Sequence, residues 1–375
     1  MNRRWLRCAA TLSLLACGHT EEFTAANPPV GPFNTGPDVR LTFSTEQDYW
    51  PVWTDDGAGI LYSFIRPGTN PQHRCVGLLP AAGGRELWQL CDDRATQGDS
   101  TNSFIAYALG ADGRLLYVEA VARNGIQGTA PAETTLWLAD SAKPFQRRAL
   151  FSFPGFAGAT PVGWLADLAW TGPTTFIALA QDFSVFGHCR DCFLQDSLFF
   201  GEAVVRGTIG ATGATLEAVT GTSGATSYSL AEDGASIVFT RRDDPHLFTV
   251  PAAGGTDTAF ALVTPAQLLG VSCKGSTCVV ADDPVTLSAA TLGSPPAIFP
   301  SIGVGPRELR SVSLTSGTIQ SILLLGSAAA TPVIATPQIS PVTGDVVAQV
   351  GGGFGHLQTF SVSGSDLHLY QSLVR

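Results

Sequence analysis

The side chains able to do chemistry are few in this 375-residue chain, so their spacing decides what they can be. His188-Cys189-Arg190-Asp191-Cys192 is the densest cluster. Cys-x-x-Cys suits a redox pair or half of a zinc site. A redox pair normally belongs to a βαβ unit, and a structural zinc normally has four ligands; neither setting is evident around it. In an exported chain the plainer reading is a loop disulfide. Cys273 and Cys278 flank the turn Lys274-Gly275-Ser276-Thr277, as a hairpin staple would. Local spacing pairs Cys75 with Cys91, Cys189 with Cys192 and Cys273 with Cys278, although six thiols alone leave the connectivity open. The acidic pairs Asp55-Asp56, Asp92-Asp93, Asp243-Asp244 and Asp282-Asp283 carry hard oxygens that suit calcium. None has EF-hand spacing, and each lies where a turn is expected and can cap it. The sequence implies no cofactor, with Ca²⁺ as the open alternative. His73, His246, His356 and His368 fall in no His-Glu-x-x-His motif, and no Gly-x-Ser-x-Gly elbow occurs. Gly351-Gly352-Gly353-Phe354-Gly355 lacks both phosphate-loop orders and reads as a turn. No residue qualifies as catalytic or metal-binding on these patterns.

The remaining two cysteines belong to the amino terminus. Arg3, Arg4 and Arg7 form a short positive region, and Cys8 to Ala16 follow without charge. That stretch is too short to cross a bilayer and reads as an export signal. It ends Leu14-Leu15-Ala16-Cys17-Gly18, which resembles the lipobox of bacterial lipoproteins. The resemblance implies removal of 1–16 as a signal peptide and diacylation, palmitate included, of Cys17. Gly18 in place of aspartate implies the outer membrane rather than the inner one. Residues 17–37 contain Pro28, Pro29, Pro32 and Pro37, lack an apolar period and read as an extended tether. Losing Arg3, Arg4 and Arg7 from 21 basic residues leaves 18 against 31 acidic ones, a balance of −13. Such a chain is a poor nucleic-acid ligand, because phosphate contacts need clustered Lys and Arg. The membrane, through its lipid, and an envelope protein are the expected partners.

The elements that must position any site repeat along 38–375. Asp56-Gly57, Asp112-Gly113 and Asp233-Gly234 each precede a strand that is apolar on both faces, such as Ile60-Leu61-Tyr62-Ser63-Phe64. Asp-Gly favours a tight turn, and an all-apolar strand expects cover on both sides. Pro80-Ala81-Ala82-Gly83-Gly84 and Pro251-Ala252-Ala253-Gly254-Gly255 both follow a later strand. The unit is strand, turn, buried strand, third strand, Gly-Gly turn, fourth strand. Charged residues are only 14% of the chain, which also favours a β-rich fold. These units resemble the TolB-type, WD40-like propeller repeat. Pro51, Trp53, Asp56, Gly57, Ile60, Tyr62, Ser63, Arg66, Gly83 and Gly84 stand at its places, as do Asp233, Gly234, Phe239, Arg241, Leu247, Phe248, Gly254 and Gly255. Asp55 replaces the family's proline. The resemblance implies an all-β propeller.

Turns near 56, 112, 172, 233, 275 and 344 give six four-stranded blades; a seventh is the alternative if 285–330 hides one. Insertions are expected at 181–198 and 283–306, and Val39–Ser44 is expected to complete the last blade. Trp50, Trp53, Trp88, Trp137, Trp164 and Trp170 read as blade packing. The functional expectation is a non-catalytic envelope scaffold that binds a partner by one face or its channel. The alternatives are a lactonase-like hydrolase or lyase with carboxylates in the channel, Glu46 and Asp48 being candidates, and a surface binder of carbohydrate or peptide.

Overall fold

The computed structural model describes residues 38–43, 48–65, 74–91, 100–123, 133–153, 163–182, 201–231, 234–241, 244, 246–262, 268–282, 308–324, 333–351 and 365–374. Cys17, Cys189, Cys192, Asp233, Glu46 and the expected insertions lie largely or wholly outside these residues. Among the described residues all regular structure is β, in strands β1 to β24.

Six four-stranded antiparallel blades form the propeller. Blade I comprises β2 (Asp48–Trp53), β3 (Gly59–Ile65), β4 (Arg74–Pro80) and β5 (Trp88–Leu90). Blade II comprises β6 (Ser100–Leu109), β7 (Arg114–Arg123), β8 (Glu133–Asp140) and β9 (Lys143–Phe153). A single parallel pairing, Arg74 with Ser103, joins the two. Blade III runs β10 (Gly163–Gly172), β11 (Thr175–Asp182), β12 (Gly201–Ile209) and β13 (Ala214–Ala218). Blade IV runs β14 (Ala225–Leu230), β15 (Ser236–Arg241), β16 (His246–Pro251) and β17 (Thr258–Leu262). Blade V runs β18 (Leu268–Lys274), β19 (Thr277–Asp282), β20 (Glu308–Ser313) and β21 (Ile319–Leu324). The segment that left room for a seventh blade therefore supplies the two outer strands of the fifth. Blade VI takes β22 (Val333–Ile339), β23 (Val346–Gly351) and β24 (Ser365–Tyr370), and the first strand, β1 (Asp38–Arg40), completes it.

The second strand of every blade explains the all-apolar runs. Its alternate side chains enter two different cores. Ile60 and Tyr62 pack toward blade VI, while Leu61 packs toward blade II. Leu115 and Tyr117 face blade I, while Leu116 and Val118 face blade III. Ile237 and Phe239 face blade III, and Val238 faces blade V. Six such cores result, one at each blade junction, so a period-2 strand without polar residues is what stacking demands. The ring closes where Leu41, Val347 and Leu367 meet Trp53 and Ile60. There Val39 pairs with Leu369, Leu41 N–H donates to the Leu367 carbonyl at 2.7 Å, and Arg40 pairs with Asp366.

Antiparallel order sorts the connections between two faces. The turns between first and second strands, and between third and fourth, all lie on one face and are short. Gly57, Gly113 and Gly234 sit there with φ of 66°, 82° and 62°, the left-handed conformation that glycine adopts without strain. The connections from second to third strand, including 183–200 and 283–307, leave from the opposite face. Cys75–Cys91 ties the third strand of blade I to the end of its fourth, and Cys273–Cys278 crosses the first hairpin of blade V.

Candidate functional site at the propeller axis

An innermost strand is a sheet edge, and its side chains point sideways into the neighbouring blades. To turn a side chain toward the axis, the strand must break its alternation. All six innermost strands do so in the same place. The pairing of first with second strand skips between Tyr49 and Val52, Phe104 and Ala106, Ala166 and Ala169, Ala225 and Ser227, Leu269 and Val271, and Ala335 and Gln338. A bulge inserts an unpaired residue and redirects it. Trp50, Asp167 and Thr336 occupy these bulges with φ of 49°, 47° and 46°, and Gly270 with 83°. Positive φ is costly for residues other than glycine, and tryptophan and threonine are unusual bearers of it. Ile105 and Thr226 hold the corresponding places in blades II and IV.

Asp167 is the charged member of this ring. Its neighbours account for both sides of the strand. Leu165 and Leu168 enter the core between blades II and III, and Ala166 and Ala169 pack against the core between blades III and IV. Asp167 joins neither. It is solvent-exposed, although its neighbours Leu165 and Leu168 are buried. At an innermost strand the accessible space left is the channel. The protein enclosing that channel desolvates the carboxyl and pushes its pKa up to about 6. The carboxyl is reached by solvent yet strongly desolvated, a combination that fits an enclosed channel and not an outer surface.

Two tyrosines lock the neighbourhood. Tyr228, on the first strand of blade IV, donates its hydroxyl hydrogen bond to the Asp167 carbonyl. Tyr107, on the first strand of blade II, donates to the Trp50 carbonyl at 2.5 Å. Each tyrosine thus clasps the bulge of the preceding blade. Burial first, then the charge of Asp167, holds the Tyr228 phenol well above its ordinary pKa. Tyr107 is raised mainly by burial as well, with a smaller contribution from Asp167. Both therefore remain neutral donors beside the carboxylate. The other junctions carry polar bridges too: Val271 N–H to Ser227 Oγ at 3.0 Å, Ile339 N–H to Ser272 Oγ at 2.9 Å, Trp53 Nε1 to the Gln338 carbonyl at 2.9 Å, and Arg114 to the Pro173 carbonyl.

The residues singled out by sequence fall elsewhere. Asp56, Gly57, Asp112, Gly113 and Gly234 lie in turns on the short-turn face. Asp56 accepts from the Thr54 hydroxyl at 2.6 Å and from Ala58 N–H at 3.0 Å, and these bonds lower its pKa. Asp55 is raised, chiefly by burial and further by Asp112 and Asp56. Asp48 is buried in β2, and its carbonyl accepts from Ser365 Oγ at 3.0 Å. His246 pairs with Asp244 two residues before it at 2.7 Å, and His368 pairs with Asp38 across the closing seam at 2.8 Å. Trp53 belongs to a core, and Trp50, Trp88, Trp137 and Trp170 pack against cores. Among the described residues no three His, Cys, Asp or Glu side chains come together as a metal site. In sequence Asp167 reads only as the first residue of a weak third repeat copy, because it sits inside an apolar strand pattern. The signal available was its place in the repeat, level with Trp50 relative to the following turn.

No family model matches the chain, and no curated protein is similar to it in sequence. Solved structures are similar in shape. Regucalcin from Agrobacterium tumefaciens strain C58, described as a calcium-binding protein, is 12% identical, with a TM-score of 0.50 over 88% of this chain and 94% of that one. A luciferin-regenerating enzyme is 8% identical, with a TM-score of 0.52 over 89% and 94%. The WD40 repeats of RRP9 align over 89% and 97%, at 11% identity and a TM-score of 0.48. At such identities the likeness concerns the fold.

Proposed function

We propose that this chain is a lipid-anchored propeller of the cell envelope that binds a partner at its channel and at the face bearing the long connections. The observation carrying this reading is the ring of bulged innermost strands. Six strands forgo regular pairing at one level, and three non-glycine residues hold a costly backbone conformation there. Bulges of this kind re-aim side chains and are enriched beside functional sites. The lipobox at Cys17 supports the anchor, and the excess of acid over base argues against nucleic acid.

The test is crosslinking of the mature lipoprotein in its own envelope, followed by mass spectrometry. Crosslinks to a recurrent partner should concentrate on 66–73, 124–132 and 283–307, with few on the Asp-Gly turns. Crosslinks confined to the short-turn face would overturn the assignment of the face. Intact mass tests the anchor: an unlipidated amino terminus would refute it.

A second reading, a propeller hydrolase, is favoured by Asp167 itself. A carboxyl titrating near 6 in a desolvated shaft is matched to proton transfer close to neutrality. The likeness in fold to a luciferin-regenerating enzyme is compatible with that reading. Turnover of lactone or ester substrates that vanishes in Asp167→Asn would establish it.

A further inference from the structure

We infer that the axial ring is a receptor for a positively charged group, a protonated amine or a guanidinium, which Asp167 pairs with inside the channel. This rests on the channel-binding reading and names its ligand chemistry.

The argument begins with charge. The bulge ring consists of Trp50, Ile105, Asp167, Thr226, Gly270 and Thr336 and their following residues, and Asp167 is its charged member. The Arg and Lys side chains recorded in ion pairs among the described residues are engaged elsewhere. Arg147 holds Glu119, Arg241 holds Asp257, Arg310 holds Glu308, Arg40 holds Asp366 and Arg114 holds Asp112. Among the described residues of the ring none carries a positive charge, and desolvation alone accounts for the shift of Asp167. A carboxylate in a desolvating shaft without a counterion is costly, and such a cost persists where a ligand supplies the missing charge.

Geometry then limits what can supply it. Asp167 projects from a bulge fixed on both sides by leucines and alanines of two cores, and its own carbonyl is clasped by Tyr228. The carboxylate is therefore held on a rigid post. Tyr107 on β6 and Tyr228 on β14 are the titratable groups that feel its charge from the flanking blades, and both are kept protonated. The groups that feel the charge of Asp167 are thus neutral, so a ligand has to bring the positive charge itself. A single fixed carboxylate suits an organic cation, which can pair with one acid. A small metal ion would require several further oxygen ligands.

The test uses the full chain and three probes of similar size: n-butylammonium, n-butylguanidinium and neutral butyramide. Binding is read by saturation-transfer NMR. The two cations should bind at pH 7.5 and butyramide should not. Affinity for the cations should fall at least about tenfold between pH 7.5 and 5, because the binding-competent carboxylate is lost as pH drops through the pKa of Asp167. Asp167→Asn should abolish cation binding. Asparagine shares aspartate's tolerance of positive φ, so the bulge is retained. The pH series on the unmodified chain provides an independent arm if the variant folds poorly. Equal binding of butyramide, or cation binding unchanged in Asp167→Asn and across pH, would overturn the cation assignment while leaving channel binding intact. Binding of no probe would overturn the assignment too, and the envelope crosslinks would then judge the partner-binding face separately.

Discussion

Asp167 sets two demands against each other. Its folded-state pKa is raised from 3.8 to about 6, so the folded chain holds a proton that the unfolded chain releases. Between those values stability falls as pH rises, and the loss is complete above 6. Asp167→Asn should therefore raise the melting temperature at pH 8 and change little at pH 3. Because the side chain is open to solvent in the channel, screening limits the gain to about 1 kcal/mol. Thermal denaturation at the two pH values checks this, and equal melting temperatures for the two proteins at pH 8 would contradict the desolvated setting. The hydroxyl of Tyr228 makes the opposite case. Tyr228→Phe leaves the bulge carbonyl of Asp167 without its donor and should cost about 1–2 kcal/mol in urea unfolding.

Within the elements, glycines separate two physical effects. Gly207 has an ordinary φ, but a Cβ there would sit 2.0 Å from Cζ of Phe176, which is wholly buried. Gly207→Ala should cost about 3 kcal/mol by overpacking. Gly234 has a φ of 62° and nothing within 4 Å of the added atom. Gly234→Ala should cost only its backbone strain, about 1 kcal/mol. A chemical-denaturation series ranking these two the other way would count against the packing described. The disulfides differ by loop length. Opening Cys75–Cys91, 16 residues apart, should cost about 3 kcal/mol, and opening Cys273–Cys278, 5 apart, about 2 kcal/mol.

The repeat was legible in the sequence where its turns are explicit. Asp56-Gly57, Asp112-Gly113 and the two Gly-Gly turns announce themselves, because glycine is required at those dihedrals. The degenerate blades V and VI could be counted but not delimited, since their turns carry Gly275 and Gly344 without aspartate before them. The axial site was not legible. A bulge leaves no compositional mark: Thr336 and Asp167 read as ordinary strand residues until the pairing register is known. Convergence at an axis is likewise a property of the closed ring, not of any segment.

For the whole molecule, closure is the controlling event. β1 lies more than 320 residues before its partner β24, so the ring forms only once nearly the entire chain is present. Deleting residues up to 43 uncovers the β24 edge and removes the buried Leu41. That should cost at least about 3 kcal/mol and speed amide exchange along β24 and β23 before the other blades. Uniform exchange across all six blades would show that closure is cooperative around the ring instead of local to its seam.

The seam also sets a compass bearing. β1 runs antiparallel to β24, so the chain enters the propeller at the rim of the short-turn face and travels toward the opposite one. A lipid on Cys17 would therefore moor the disc by its edge, like a plate hung by its rim, with the attachment point on the outermost strand and clear of both mouths of the channel.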